Sequence, residues 1–153
     1  MVCPTGWRVM IRLAGVGCTM IAMVGCSSGV AEQSAVAPRV VRIVAANFAF
    51  DPAHLEVHTG ELVRLVLENP SDLPHELFIG SEAAQAARRA ALAREGGRAV
   101  GTATADPAAV YVPAGGVAQL EYRFEDPAET IIGCHLAGHW ESGMRGEVIY
   151  IDP

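Results

Sequence analysis

The chain has 153 residues, with 17 acidic side chains against 11 arginines and no lysine. Its formal net charge of −6 argues against nucleic-acid binding, because neutralising phosphates requires a clustered basic surface. The length suits one domain with a tail, and a hydrophobic content of 51% excludes a disordered or collagen-like chain.

The N-terminal segment has the features of an export signal. Arg8 and Arg12 precede an apolar run over Leu13–Val24, which is shorter than the roughly 20 residues that a membrane span needs. We therefore predict an export signal peptide at residues 1–25, of the lipoprotein kind by the resemblance described next. The Gly-Cys pair ending at Cys26 resembles the lipobox of bacterial lipoproteins, which implies acylation of Cys26 and a lipid anchor outside the cytoplasm, in the periplasm or at the cell surface. Ordinary secretion and an uncleaved N-terminal anchor are the alternatives.

If this processing occurs, only one of the four cysteines keeps a free thiol. Two of them lie in the predicted signal peptide, and acylation occupies the sulfur of Cys26, which leaves Cys134. A lone thiol outside the cytoplasm is readily oxidised unless it is buried or bound to a metal. Cys134 is therefore the first candidate functional residue.

The remaining chain divides into a tether and one domain. Residues 26–38 are rich in Ser, Ala and Val without periodicity, which indicates a flexible tether. Residues 39–153 alternate short β-branched runs with turn residues, which predicts an antiparallel all-β sandwich or small barrel of about 7–8 strands. The predicted strands are Val40–Ala45, His54–Val57, Leu62–Glu68, Glu76–Ile79, Ala109–Val112, Val117–Phe124, Thr130–Cys134 and Glu147–Ile151.

An Ala-rich segment interrupts the β pattern. Ser81 is a suitable N-cap, Glu82 lies in the first turn, and Gly96 and Gly97 follow the last arginine of the segment, Arg94. We predict a helical insert at about residues 81–95. Its arginines form either a solvated face or a basic docking face.

A set of soft ligands lies near the C-terminus. Cys134, His139 and Met144 recur at steps of five between two apolar strands, and they can converge only if the segment folds back as a loop, since each step spans about 16 Å in an extended chain. Thiolate, imidazole and thioether donors suit copper. His75, just after a turn, is the best candidate for a further ligand. One thiolate, two imidazoles and a distant Met sulfur make a type 1 copper site, which predicts one-electron transfer.

Each of these residues also has a structural interpretation. Cys134 could be a buried thiol and Met144 could pack in the core. His135 should point to the opposite face from Cys134 by strand alternation, and we treat His54 and His58 as non-ligands. Structural zinc and a cysteine hydrolase fit the donor set poorly.

The sequence resembles the cupredoxin family, the plastocyanin- and azurin-like blue copper proteins, over Val40–Ile151. The shared features are the segment Phe48–Pro52, the Gly60–Val63 turn, Asn69 six positions before His75, and the closing ligand loop. The spacing in that loop is nearest the auracyanin and sulfocyanin kind.

The resemblance implies a Greek-key sandwich in which His75, Cys134, His139 and Met144 bind one copper ion. It also implies that Asn69 braces the Cys134 loop through hydrogen bonds. The expected role is a monomeric, non-enzymatic electron carrier whose redox protein partners dock near His139 and Trp140. Trp140 could equally be a core residue, and a periplasmic copper carrier or copper-resistance protein would use the same ligands.

Overall fold

The computed structural model describes residues 37–94, 96 and 106–152. The predicted signal peptide at 1–25, the predicted acylation site Cys26 and most of the predicted tether lie outside these residues. In the described part of the chain, no helix is both long and apolar enough to cross a membrane.

The described residues form a two-sheet β-sandwich with one helix, which confirms the predicted fold class. One sheet has the strand order β2-β1-β4-β7 and the other the order β3-β9-β8-β5-β6. The core lies between them, since both sheets contribute fully buried side chains such as Leu65 and Leu77. The elements are β1 Arg39–Ala46, β2 Ala49–Asp51, β3 His54–Val57, β4 Glu61–Glu68, β5 His75–Gly80, α1 Glu82–Arg94, β6 Ala109–Val112, β7 Val117–Phe124, β8 Ile131–Gly133 and β9 Arg145–Tyr150.

Two strand pairs are parallel, which corrects the antiparallel arrangement predicted from the sequence. β1 lies parallel to β4, and β3 lies parallel to β9. Parallel neighbours need a connection of a dozen or more residues, and the segment between β1 and β4, which contains β2 and β3, is long enough. Short runs and turn residues do not reveal such a crossover.

A tight hairpin joins β1 to β2. Ala46 pairs with Ala49, so the turn consists of Asn47 and Phe48, and both have positive φ angles, 51° and 57°. This is the type I′ pattern, in which glycine usually takes the second position. A side chain in this conformation costs about 1–2 kcal/mol, so Phe48 is held in an unfavourable backbone state.

Every residue of β5 is buried because the strand is covered on both faces. Leu77 and Ile79 lie in the core, while Arg88 of α1 pairs with Glu76 and lies over the ring of Phe78 on the other face. α1 therefore covers the outer face of this sheet, and Arg88 is not part of a solvated surface.

α1 begins and ends where the sequence predicts. The amide of Ala84 donates a hydrogen bond to the hydroxyl of Ser81 over 3.3 Å, which is the N-cap interaction. After Arg94, Gly96 has a positive φ of 75°, as expected just beyond the end of a helix.

Candidate metal centre

Three of the four predicted ligands meet at one end of the second sheet. The donor atoms of His75, Cys134 and His139 all lie within 4.8 Å of one another. Nδ1 of His139 lies 3.2 Å from Nδ1 of His75 and 3.2 Å from Sγ of Cys134. All three side chains are buried. Residues up to 64 positions apart in the sequence therefore form one cluster.

Strand pairing brings His75 and Cys134 together. β5 and β8 are antiparallel neighbours, with Phe78 opposite Gly133. Because the two strands run in opposite directions, His75 at the start of β5 lies at the same end of the sheet as Cys134, which directly follows β8.

The segment after Cys134 folds back as a loop and carries His139 into the site. The amide of Met144 donates to the carbonyl of His139 over 3.0 Å, and the amide of Cys134 donates to the carbonyl of Met144 over 3.1 Å. Gly138 and Gly143 have positive φ angles of 82° and 93°, which glycine adopts without strain. The loop closes on its own backbone.

Met144 lies in the core beside these residues. Its side chain is fully buried, and its backbone is hydrogen-bonded to both Cys134 and His139. The predicted axial ligand is therefore tied to two of the three clustered residues.

The protonation states and spacing of the cluster fit a soft cation. Burial, with a smaller contribution from His139, lowers the pKa of His75 to about 4, and burial also lowers the pKa of His139. Burial raises the pKa of Cys134 to about 12. The imidazoles are thus neutral, and a cation would displace the thiol proton on binding. The 3.2 Å separations suit donors that share one ion through bonds of about 2.0–2.3 Å, and the donor types favour copper.

Two contacts orient the donors. Ser71 Oγ lies 3.0 Å from Nε2 of His75, which fixes the ring so that Nδ1 faces the cluster. The amide of Glu76 donates to Sγ of Cys134 over 3.4 Å, an interaction that favours the thiolate.

Asn69 supports the His75 side of the site, which corrects the predicted bracing of the Cys134 loop. Its Nδ2 donates to the carbonyls of Leu73 and Pro113 over 2.7 and 2.9 Å. Its Oδ1 accepts hydrogen bonds from the amide and hydroxyl of Ser71. Asn69 follows β4 in the turn that leads to β5, so the loop before His75 is the one within its reach.

His135 points away from the cluster, as strand alternation predicts. Its Nε2 lies 2.6 Å from Oε1 of Gln85, and its ring stacks on Trp140 with centroids 4.6 Å apart. The amide nitrogen of Gln85 donates to the carbonyls of Phe78 and Ile131, so its Oε1 is the acceptor and Nε2 of His135 carries the hydrogen. Nδ1 of His135 is buried without a hydrogen-bond partner among the described residues.

Trp140 is half-buried and is flanked by cations. The guanidinium groups of Arg89 and Arg145 each lie 5.4 Å from its ring centroid, in addition to the His135 stack. Gly133 allows this packing, because a Cβ there would lie 2.7 Å from both Trp140 and Gln85. Trp140 therefore lies between the two predicted environments, a surface position and a core position.

Sequence reasoning missed Phe48 as a neighbour of the site. Its ring meets the imidazole of His139 edge-on, and the residue is 37% exposed. A surface depression beside it is also lined by Leu73, which is 48% exposed, and by His75. The segment Phe48–Pro52 contributed to the family resemblance, but nothing in it indicates contact with a ligand.

His54 and His58 lie outside the cluster, as predicted. Both are exposed, and they pair with Glu147 over 3.5 Å and with Asp152 over 3.4 Å, respectively.

Comparisons with known proteins identify the family. The family model described as multicopper oxidase matches residues 28–153. The copper-resistant cuproprotein CopI of Rubrivivax gelatinosus is 35% identical over 118 residues, which cover 76% of this chain and 69% of that protein.

Solved structures share the fold. A dithionite-reduced auracyanin from Roseiflexus castenholzii superposes with a TM-score of 0.61 at 23% identity, covering 76% of this chain and all of that one (100%). Auracyanin A of Chloroflexus aurantiacus, a blue copper protein, gives a TM-score of 0.53 at 26% identity, covering 74% and 99% of the two chains. The chain therefore belongs to the copper-protein family that the multicopper oxidase model describes, and its fold is that of the cupredoxins, near auracyanin.

Proposed function

We propose that His75, Cys134 and His139 bind one copper ion, with Met144 as a distant axial ligand, in a type 1 centre. The convergence of three buried donors within 4.8 Å carries this proposal. When bound, copper supplies a change between Cu(I) and Cu(II), so the protein carries single electrons outside the cytoplasm. A substrate reaction is not part of the proposed function.

The residues around the donors suit this role because they restrict movement and water. The Ser71 hydroxyl orients His75, the Glu76 amide supports the Cys134 thiolate, and the loop hydrogen bonds hold His139. Small structural change between oxidation states favours fast electron transfer, and a buried, hydrogen-bonded cluster resists such change.

Redox protein partners dock near His139 and Trp140 in this proposal. Phe48 packs on His139 and is partly exposed, and Leu73 adds exposed apolar surface. Weak redox encounters use small interfaces, which a patch of this size can provide. The lipid anchor on Cys26 would hold a monomer at the membrane.

A second candidate is a copper carrier or copper-resistance protein outside the cytoplasm. The relative from Rubrivivax gelatinosus is named a copper-resistant cuproprotein, and the same donors would serve either function. The carrier would hold exchangeable Cu(I), whereas the electron carrier must be stable in both oxidation states.

A spectroscopic titration distinguishes the candidates. Detergent-solubilised full-length chain is titrated with Cu(II), beside Cys134→Ser and the exposed-histidine control His58→Gln. The electron carrier gives an intense thiolate-to-copper band that bleaches with reductant and returns on reoxidation, in the wild type and His58→Gln only. Tight Cu(I) capture without a stable oxidised form favours the carrier. Stoichiometric Cu(II) binding without the band would overturn the type 1 assignment.

A further inference from the structure

A buried ion pair joins helix α1 to a residue that borders the candidate copper site. Arg88 of α1 lies 2.5 Å from the carboxylate of Glu76, and the two side chains are 9% and 0% exposed. Glu76 directly follows His75, and its amide donates to Sγ of Cys134. Glu76 thus connects the helix to His75 through the chain and to the sulfur of Cys134 through its amide.

A second contact joins α1 to the residue after Cys134. Gln85 is 1% exposed and bonds to His135, to Phe78 of β5 and to Ile131 of β8. These bonds fix α1 against both strands that carry the site. The backbone of Arg88 is therefore held at a constant position relative to Glu76.

The charge of Glu76 acts in a region that water does not reach. A buried carboxylate needs a partner, because an unpaired charge in the protein interior is strongly unfavourable. Arg88 supplies that partner, and Asp106 lies 3.4 Å from the same guanidinium. In a low-dielectric interior, the negative charge of Glu76 stabilises the more positive oxidation state of a nearby ion, and the positive charge of Arg88 offsets this effect.

We propose that Arg88 is a positioning residue that, by neutralising Glu76, sets the reduction potential of copper held at Cys134 and His75. The inference rests on the proposed function. It gives the helical insert a role in tuning the centre, in addition to covering the sheet.

Redox titrations of the copper-loaded full chain test this inference. At a fixed solution potential, we expect Arg88→Met to raise the ratio of oxidised to reduced protein about fivefold to tenfold, and Glu76→Gln to lower it. A tenfold change in this ratio corresponds to 59 mV for one electron. The double variant should return to within about twofold of the wild type. Arg89→Met, which removes an arginine of the same helix from Trp140, is the matched control and should change the ratio little.

Opposite shifts are the diagnostic result, because loosened packing alone would move both single variants in the same direction. Shifts of one sign, or no shift while the blue band is intact, would overturn the inference. If Arg88→Met does not fold, the test is whether the double variant restores the ratio that Glu76→Gln lowers, and a double variant that keeps the Glu76→Gln ratio would overturn the inference. A wild type that lacks the blue band would instead refute the proposed function.

Discussion

The ring of Phe48 meets the imidazole of His139 edge-on, with centroids 5.0 Å apart and ring planes at 87°. Phe48 makes this contact from the second position of a type I′ turn, where its φ of 57° is unfavourable for any side chain. The unfavourable backbone conformation therefore occurs where an aromatic ring covers His139, the most exposed of the three clustered donors.

We expect Phe48→Gly to speed the release of copper without changing the stability of the fold. Glycine relieves about 1–2 kcal/mol of backbone cost, which offsets the loss of an aromatic contact worth about 0.5–1.5 kcal/mol. The free energy of unfolding of the copper-free protein should therefore change little, while copper passes to a chelator several times faster. Phe48→Leu, which keeps an apolar cover, should release copper at an intermediate rate. Equal release rates in all three proteins would show that Phe48 does not shield His139.

Asn69→Ala should weaken both the fold and the His75 side of the site. It removes the hydrogen bonds from Nδ2 to the carbonyls of Leu73 and Pro113 and leaves the amide of Ser71 without its acceptor, which together cost about 1–3 kcal/mol. Denaturant unfolding of the copper-free protein measures this loss, and chelator competition should show reduced copper affinity. Ser142→Ala is the control, since it removes one exposed hydrogen bond to Gly138 and should change stability by less than about 0.5 kcal/mol. Unchanged affinity in Asn69→Ala would mean that the turn does not position His75.

The copper-free protein should lose stability as the pH falls from about 6.5 towards 4. Burial lowers the pKa of His75 and of His135 from 6.5 to about 4. In this window the unfolded chain binds protons that the folded chain does not, so the free energy of unfolding rises with pH. Urea unfolding of copper-free protein at several pH values measures the slope, and His135→Gln should reduce it. A stability that is flat between pH 4 and 6.5 would contradict these pKa shifts.

Gly133→Ala should destabilise the protein by about 1–3 kcal/mol, because the added Cβ would lie 2.7 Å from Gln85 and Trp140. Gly60→Ala is a useful comparison, since its Cβ meets no atom within 4 Å and it suffers only the cost of a positive φ. Thermal unfolding should show the larger loss for Gly133→Ala, together with a change in tryptophan fluorescence as Trp140 shifts. An equal loss in both variants would show that the packing around Gly133 adjusts freely.

The sequence predicted the parts of this molecule that depend on local pattern. β3, β6 and β7 have the predicted bounds, because alternation and turn residues mark strands directly. The spacing of Cys134, His139 and Met144 is also a local pattern, and it predicted a folded loop because an extended chain would hold these donors apart. Their donor chemistry indicated copper.

Some features that depend on which distant segments become neighbours were missed, together with two local ones. The partners of Asn69 could not be identified, because its position before His75 does not say which loop its amide reaches. β2 was missed because it is only three residues long, and Phe48 was missed because the pair Asn47-Phe48 lacks the glycine that marks a type I′ turn. Parallel pairing of β1 with β4 depends on the path of the connection, which leaves no signal in either strand.

The ladder between β5 and β8 sets the distance between two ligands before any ion arrives. A slip of one residue in the pairing of Phe78 with Gly133 would turn one strand over and send its ligand to the face covered by α1. The backbone hydrogen bonds between the two strands therefore fix where the two ligands lie. Removing the metal should leave this register unchanged, with hydrogen exchange of the amides from 131 to 133 as slow as in the copper-loaded protein. Fast exchange there would mean that the ion builds its own site.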